Sequence, residues 1–525
     1  MKLSTIVKIA ITSSVLLLCT GFALYSYFKL SAADVRKDFN LYTLVPSNAT
    51  AVFVTGDAAE LVAEIEELTC SKNQQYLHVS KLFSSLKDYL YSLQEDAPHG
   101  LSRQMNRLLI SFHEPDNDHN QVLYCRLGDG DRKLVDKFVQ KHLSAAYPFK
   151  IFKYKGEDIY IYPMSDGDFL ACYLTPDFLA LSYQKKLIEE VIDTRKTGNS
   201  IASDSTFIEV NGPRKTTSTA TIYARMDGMI GWTEFDMKLK DDFIYFSGVS
   251  HDVDSCFTFI NALRQQEAVK GFAGDALPST TFYLSRQGVT DWASLLAYGE
   301  RQEYAVATRT REILDRDKEL SRYLIENTGQ DLVAFLFQRE DSLLGPAAVM
   351  ALSITDVLEA ERMLRSFVEA APLEEGERRN SRISFYYSPD KAYPVYKLPL
   401  TTLFSQLTGF SESPIHIYAT FYSGRLLLAP DEDSLFRYIR QLDKGEVLDG
   451  ALVYRAGTGS LSDSYHFMLM ADFGQLLDQS GNHYRFIPDF FSRNSDFFRN
   501  FVIFVQFTCA DGVIYPNIVL KYKTE

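Results

Sequence analysis

Two stretches of this chain can be laid over one another. Residues 169–207, FLACYLTPDFLALSYQKKLIEEVIDTRKTGNSIASDSTF, match residues 417–454, IYATFYSGRLLLAPDEDSLFRYIRQLDKGEVLDGALVY, with one single-residue gap. In each, an apolar and aromatic run turns at Pro176-Asp177 or Gly424-Arg425 and resumes as FLALS or LLLAP. Turn residues between β-forming runs read as a hairpin. A helical pattern follows, with Leu187, Ile188, Val191 and Ile192 on one apolar face and Leu435, Phe436, Ile439 and Leu442 on the other. Gly198 and Gly445 stand where those helices should stop.

The correspondence extends in both directions. LVPSNATAVFV (44–54) and ALPSTTFYLS (276–285) open alike, and DDFIYFSGV and DGVIYPNIVLKY close alike. Between them, paired runs around polar turns precede amphipathic helices, LVDKFVQKHL in one half and VLEAERMLRSFVEA in the other. The pattern predicts an α+β fold made of two tandem copies of a mainly antiparallel sheet module with helices on one face. Copy one is expected over residues 41–250, a join over 251–271 and copy two over 272–525.

The N-terminus adds one more element. Residues 9–28 carry no charge, and about twenty helical residues are what a bilayer core requires. A single transmembrane helix is therefore expected ahead of the two copies, with a cytoplasmic tip at residues 1–8, where Lys2 and Lys8 favour the inside. A cleaved secretory signal is the alternative, with Ser31-Ala32-Ala33 as the small-residue site.

Composition narrows the partners. There are 37 Phe and 31 Tyr against 2 Trp, a balance that suits sheets. The net charge is −14, so the body has no electrostatic affinity for phosphate backbones, and nucleic acid is set aside. Cys125 and Cys172 lie in strand-like runs where a cross-sheet disulfide is conceivable, although free buried thiols are the default reading.

With LVPSNA after the apolar segment, FLACYLTPDFLALSYQKKLIEEVI and its late partner, the chain resembles a family of uncharacterised bacterial envelope proteins. That family is catalogued as a domain of unknown function with an N-terminal membrane segment. The resemblance implies location and architecture, and it brings no catalytic residues.

Motifs for chemistry are sparse. HEPDNDH (113–119) offers His113, Glu114, Asp116, Asp118 and His119 as ligands, but Pro, Asn and Asp also make a plain hairpin turn. Asp129 and Asp131 in GDGD lack the spacing of a calcium loop. GTGSL (457–461) is too short for a phosphate loop, and no Gly-x-Ser-x-Gly or His-Glu-x-x-His occurs. His466 reads as a strand residue. No catalytic residue, metal ligand or cofactor is expected.

The expected function is a membrane-tethered, extracytoplasmic binding or scaffold protein of the bacterial cell envelope, without enzymatic activity. It would sit in the inner membrane through residues 9–28, with its body in the periplasm and an unidentified envelope protein as partner. An enzyme site at a cleft between the modules, or a carrier of a hydrophobic ligand, is the alternative. One docking face is suggested: on a helix beginning at Pro488, Phe490, Phe491, Phe497, Phe498 and Phe501 fall on one side. Covering the module's own sheet is the competing role for that face.

Overall fold

The structure is a computed structural model. It describes residues 39–73, 107–113, 119–128, 149–163, 167–211, 218, 220–225, 231–251, 259–301, 311–340, 345–372, 381–389, 391–410, 415–478 and 495–523. Contacts divide the chain into two units: Met1–Ala63, Leu77–Ile208 and Thr219–Ile222 form unit 1, and Glu64–Tyr76, Glu209–Ser218 and Tyr223–Glu525 form unit 2.

Unit 1 carries β1 (Ala51–Thr55), β2 (Leu108–Phe112), β3 (Gln121–Arg126), β4 (Lys150–Tyr154), β5 (Glu157–Pro163), β6 (Phe169–Leu174) and β7 (Phe178–Ser182). Strand β8 (Ala220–Arg225) begins in it, and helix α1 is Lys185–Thr197. The pairings run β8, β1, β2, β3, β7, β6, β5, β4. Helix α1 forms where the spacing predicts: Leu187, Ile188, Val191 and Ile192 are buried, each contributing about 1.5–3 kcal/mol. Gly198 then stops it at φ 75°, a left-handed conformation that glycine adopts without strain.

Unit 2 holds β9 (Trp232–Lys240), β10 (Phe243–His251), β11 (Val269–Lys270), β12 (Thr281–Gly288), β13 (Thr328–Phe337), β14 (Ala347–Ile354) and β15 (Ile383–Tyr387). It continues with β16 (Ala392–Lys397), β17 (Tyr418–Tyr422), β18 (Arg425–Ala429), β19 (Ser464–Tyr465), β20 (Phe467–Asp472), β21 (Phe501–Ala510) and β22 (Val513–Tyr522). Its principal helices are α2 (Trp292–Arg301), α3 (Arg311–Asn327), α4 (Val357–Ala370), α5 (Leu403–Thr408), α6 (Glu432–Asp443) and α7 (Ser495–Phe498). The antiparallel order is β9, β10, β22, β21, β20, β12, β13, β14, β18, β17, β16, β15. Strands β11 and β19 pair separately.

These pairings correct the expected fold class. The described chain is mostly one large antiparallel sheet of 20 strands with some helices, in place of two tandem sheet modules with helices on one face. Strand β10, expected to close the first copy, instead joins the last strand: Phe243 faces Lys521 and His251 faces Val513. The outer edge of a long hairpin has backbone groups to satisfy, and β22 satisfies them.

Helices also cover both faces of the unit 2 sheet, where one covered face was expected. Along β13, Leu332, Ala334 and Leu336 point into a core with Leu320 and Leu324 of α3 and Leu364 of α4. Val333, Phe335 and Phe337 point into another with Leu435 and Ile439 of α6. Among the described residues no helix is long and apolar enough to cross a membrane. Residues 9–28 lie outside the described residues.

The sheet also settles the cysteine question. Cys125 pairs with Leu179 and Cys172 with Leu181, so β7 stands between their strands. Two strand spacings separate them by about 10 Å, too far for a bridge, and both are buried thiols outside any disulfide.

Candidate functional site

Unit 1 leaves one strand conspicuously open. Among the described residues β4 pairs with β5 alone, and the outer side of its backbone ladder is unpaired. Its apolar side chains are half in water: Phe149 is 45% exposed, Ile151 51% and Phe152 45%. Lys150 and Lys153 stand among them and are also exposed. The strand turns at Lys155 (φ 49°) and Gly156 (φ 85°), the two positive φ values that a tight hairpin requires.

Helix α1 fixes the end of this strand. Asp193 accepts from Tyr154 Oη at 3.0 Å and from Lys155 Nζ at 2.6 Å. Hydrogen bonding to Lys155 holds the Asp193 carboxyl below its ordinary value, and the same contact raises Lys155. Lys185 Nζ sits 5.4 Å from the centre of the Phe152 ring. The result is a held, basic and apolar strand edge on an acidic protein.

Of the HEPDNDH motif, His113 and His119 are described, while residues 114–118 lie outside the described residues. The two histidines go separate ways. His119 packs edge-on against Tyr183 with ring centres 5.6 Å apart. His113 joins a polar chain, with Nε2 3.0 Å from Ser111 Oγ and Nδ1 3.2 Å from Asn48 Oδ1. Ser111 Oγ lies 3.3 Å from Tyr124 Oη, and Asn48 Nδ2 donates to Glu190 Oε2 at 3.2 Å. One neutral tautomer satisfies every group: Tyr124 donates to Ser111, Ser111 to Nε2, Nδ1 to Asn48, and Asn48 to Glu190.

Burial pushes His113 down to about 4. A serine beside a histidine suggests a nucleophile, but Ser111 is fully buried and no substrate carbonyl can reach it. The chain is a structural one. Among the described residues no group of His, Cys, Asp and Glu could hold a metal ion. Asp129 and Asp131 lie outside the described residues.

Other sequence candidates are structural as well. His466 Nδ1 accepts from the Cys509 amide at 3.2 Å. Gly457 of GTGSL lies in the last turn of a short helix, Leu452–Thr458, where the Phe504 ring occupies the space a Cβ would need.

The phenylalanine face is divided. Phe490 and Phe491 lie outside the described residues. Helix α7 is a single turn, and Phe501 already belongs to β21. Phe498 and Phe501 are buried and Phe497 packs against the same core. Ring centres are 4.9 Å apart for Phe497 and Phe498, 5.0 Å for Phe497 and Phe501, and 5.5 Å for Phe501 and Tyr522.

The β4 edge escaped the sequence reading, although FKIFKYKGED carries its signal. Lysines stand among large apolar residues before a Lys-Gly turn.

Comparison with known proteins adds little chemistry. Residues 9–241 match the model of a family described as a protein of unknown function, DUF3352. That stretch is accordingly a domain of unknown function. Two solved crystal forms of a protein called TP0453 align at 10% and 12% identity. They cover 45% and 42% of this chain and 90% and 82% of their own, at TM-scores of 0.24 and 0.25, which carry no argument. No curated protein matches.

Proposed function

We propose that this chain is a non-enzymatic binding protein of the bacterial cell envelope, tethered to the inner membrane by residues 9–28 with its body in the periplasm. The tether rests on the uncharged length of that segment and on the lysines before it. The observation that carries the binding role is the open edge of β4. Its partner is an extended, acidic segment of another envelope protein, which adds a strand beside β4 and pairs its acids with Lys150 and Lys153. Lysines on an edge strand also guard against self-pairing, because two copies would bring four of them to one seam. That argues against a homodimer and leaves an acidic partner favoured.

A photo-crosslinking residue at position 151 tests this in intact cells, with position 208, where Ile208 is 57% exposed, as the control. One discrete adduct from 151 that disappears in Lys150→Glu/Lys153→Glu is the expected result. Equal adducts from both positions, no adduct, or an adduct of twice the chain's own mass would defeat the reading. The topology has its own test: alkaline phosphatase fused after Glu525 should be active. Activity of a cytoplasmic reporter at that point instead would remove the periplasmic placement.

A further inference from the structure

Unit 2 contains a half-open pocket of about 360 Å³ between α2, α3 and α5, at the lower end of the range for small-molecule sites. Leu296, Leu314 and Leu403 supply its apolar wall, and Lys318 and Arg322 stand on the α3 side. Asp317 and Gln406 line it as well, and they make it more than a dent. Asp317 is 7% exposed, and no cation pairs with it among the described residues. Its Oδ1 accepts from Thr401 Oγ1 at 2.5 Å and from the Thr402 amide at 3.1 Å, and its Oδ2 from Thr402 Oγ1 at 2.5 Å. Those donors orient the carboxylate at the start of α5.

Gln406, 9% exposed, donates through Nε2 to the same Thr402 hydroxyl at 2.7 Å. Its carbonyl oxygen, Oε1, is buried without a partner. An unpaired buried acceptor is costly and calls for a donor. The Thr402 hydroxyl thus links the Asp317 carboxylate to the Gln406 side chain, whose carbonyl has no partner. Both ask for N–H groups, best from a cation. Arg322 makes no ion pair among the described residues, and Lys318 has only a loose, exposed contact with Asp315 at 3.9 Å. These two ask for an anion.

We infer that this pocket binds a small zwitterion with an apolar side group: its primary ammonium at Asp317 and Gln406, its anion at Lys318 and Arg322, its apolar part on the leucines. A free α-amino acid with an aliphatic side chain has this chemistry. An ethanolamine phospholipid headgroup shares its ammonium and anion.

The test is calorimetric titration of the full chain in nanodiscs with L-leucine, 4-methylpentanoate, isoamylamine and glycerophosphoethanolamine, with empty nanodiscs as blank. Leucine should saturate one site. The acid lacking the ammonium and the amine lacking the carboxylate should each bind about tenfold more weakly or worse, since each loses charge-assisted hydrogen bonds. Saturation by glycerophosphoethanolamine in place of leucine would assign the lipid headgroup as the source. Binding of neither overturns the inference.

Lys318→Glu/Arg322→Glu, at two exposed positions, should weaken leucine about tenfold with an unchanged melting temperature. Gln406→Leu should weaken it too while the ligand-free protein melts no earlier, because an orphan carbonyl has gone. Undiminished binding in both variants would show that leucine sits elsewhere and would overturn the assignment.

Discussion

Phe501→Ala should destabilise unit 2 by about 3–5 kcal/mol, the cost of emptying a fully buried aromatic site. Phe501 has no exposure, opens β21 opposite Tyr522, and touches the rings of both Phe497 and Tyr522. The side chains around it belong to one core with α3 and α4, so collapse around the void is limited. The matched control is Phe385→Ala on β15, where the ring is 51% exposed and the loss should stay below about 1 kcal/mol.

Tryptophan emission makes the measurement specific. Both tryptophans, Trp232 and Trp292, lie in unit 2, so a fluorescence-detected urea transition reports that unit alone. A shift of the midpoint for Phe501→Ala no larger than for Phe385→Ala would show that the phenylalanines do not hold the sheet's core.

That contrast shows where sequence patterns carried information and where they did not. The two hairpin–helix segments were legible, because Pro176-Asp177, Gly198 and the apolar faces of α1 and α6 are local signals and local physics honours them. The second covered face of the unit 2 sheet was legible in principle. DLVAFLF and AAVMAL are near-continuous apolar runs, the mark of strands buried on both sides.

Phe501 was misplaced for a different reason. A wheel drawn through FFSRNSDFFRNF finds an arc of phenylalanines, but FVIFVQF immediately after it is a strong β run, and the strand took the residue. The pairing of β10 with β22 had no local signal at all. It joins strands far apart in sequence, and composition does not say which free edge finds which. The unit 2 pocket is equally nonlocal, since Asp317 and Gln406 meet only through Thr402 once α3 and α5 are packed.

Acid should weaken unit 1 before its carboxylates are titrated. His113 titrates at about 4 in the folded chain against an ordinary 6.5, because burial disfavours the charged ring. A folded-state value below the unfolded one means that the native protein binds fewer protons in that window. The His113 contribution is therefore complete above pH 6.5, declines as pH falls, and is gone near pH 4. Its size is about 3 kcal/mol, from about 2.5 pH units of separation.

The protonated ring also loses its acceptor at Nε2, so Ser111 must turn its hydroxyl and Tyr124 is left to find another partner in a fully buried site. Asp193 falls outside the window, since Lys155 holds its carboxyl below the ordinary 3.8. His466, also lowered by burial, has the same sign but acts in unit 2, where tryptophan emission follows it separately. Far-UV circular dichroism during urea unfolding adds unit 1 to what fluorescence sees. Its unit 1 component should move to lower urea between pH 7 and pH 4 in the parent protein and lose most of that slope in His113→Gln. An equal slope in the variant would place the acid sensitivity elsewhere and reduce the chain from Tyr124 to Glu190 to ordinary packing.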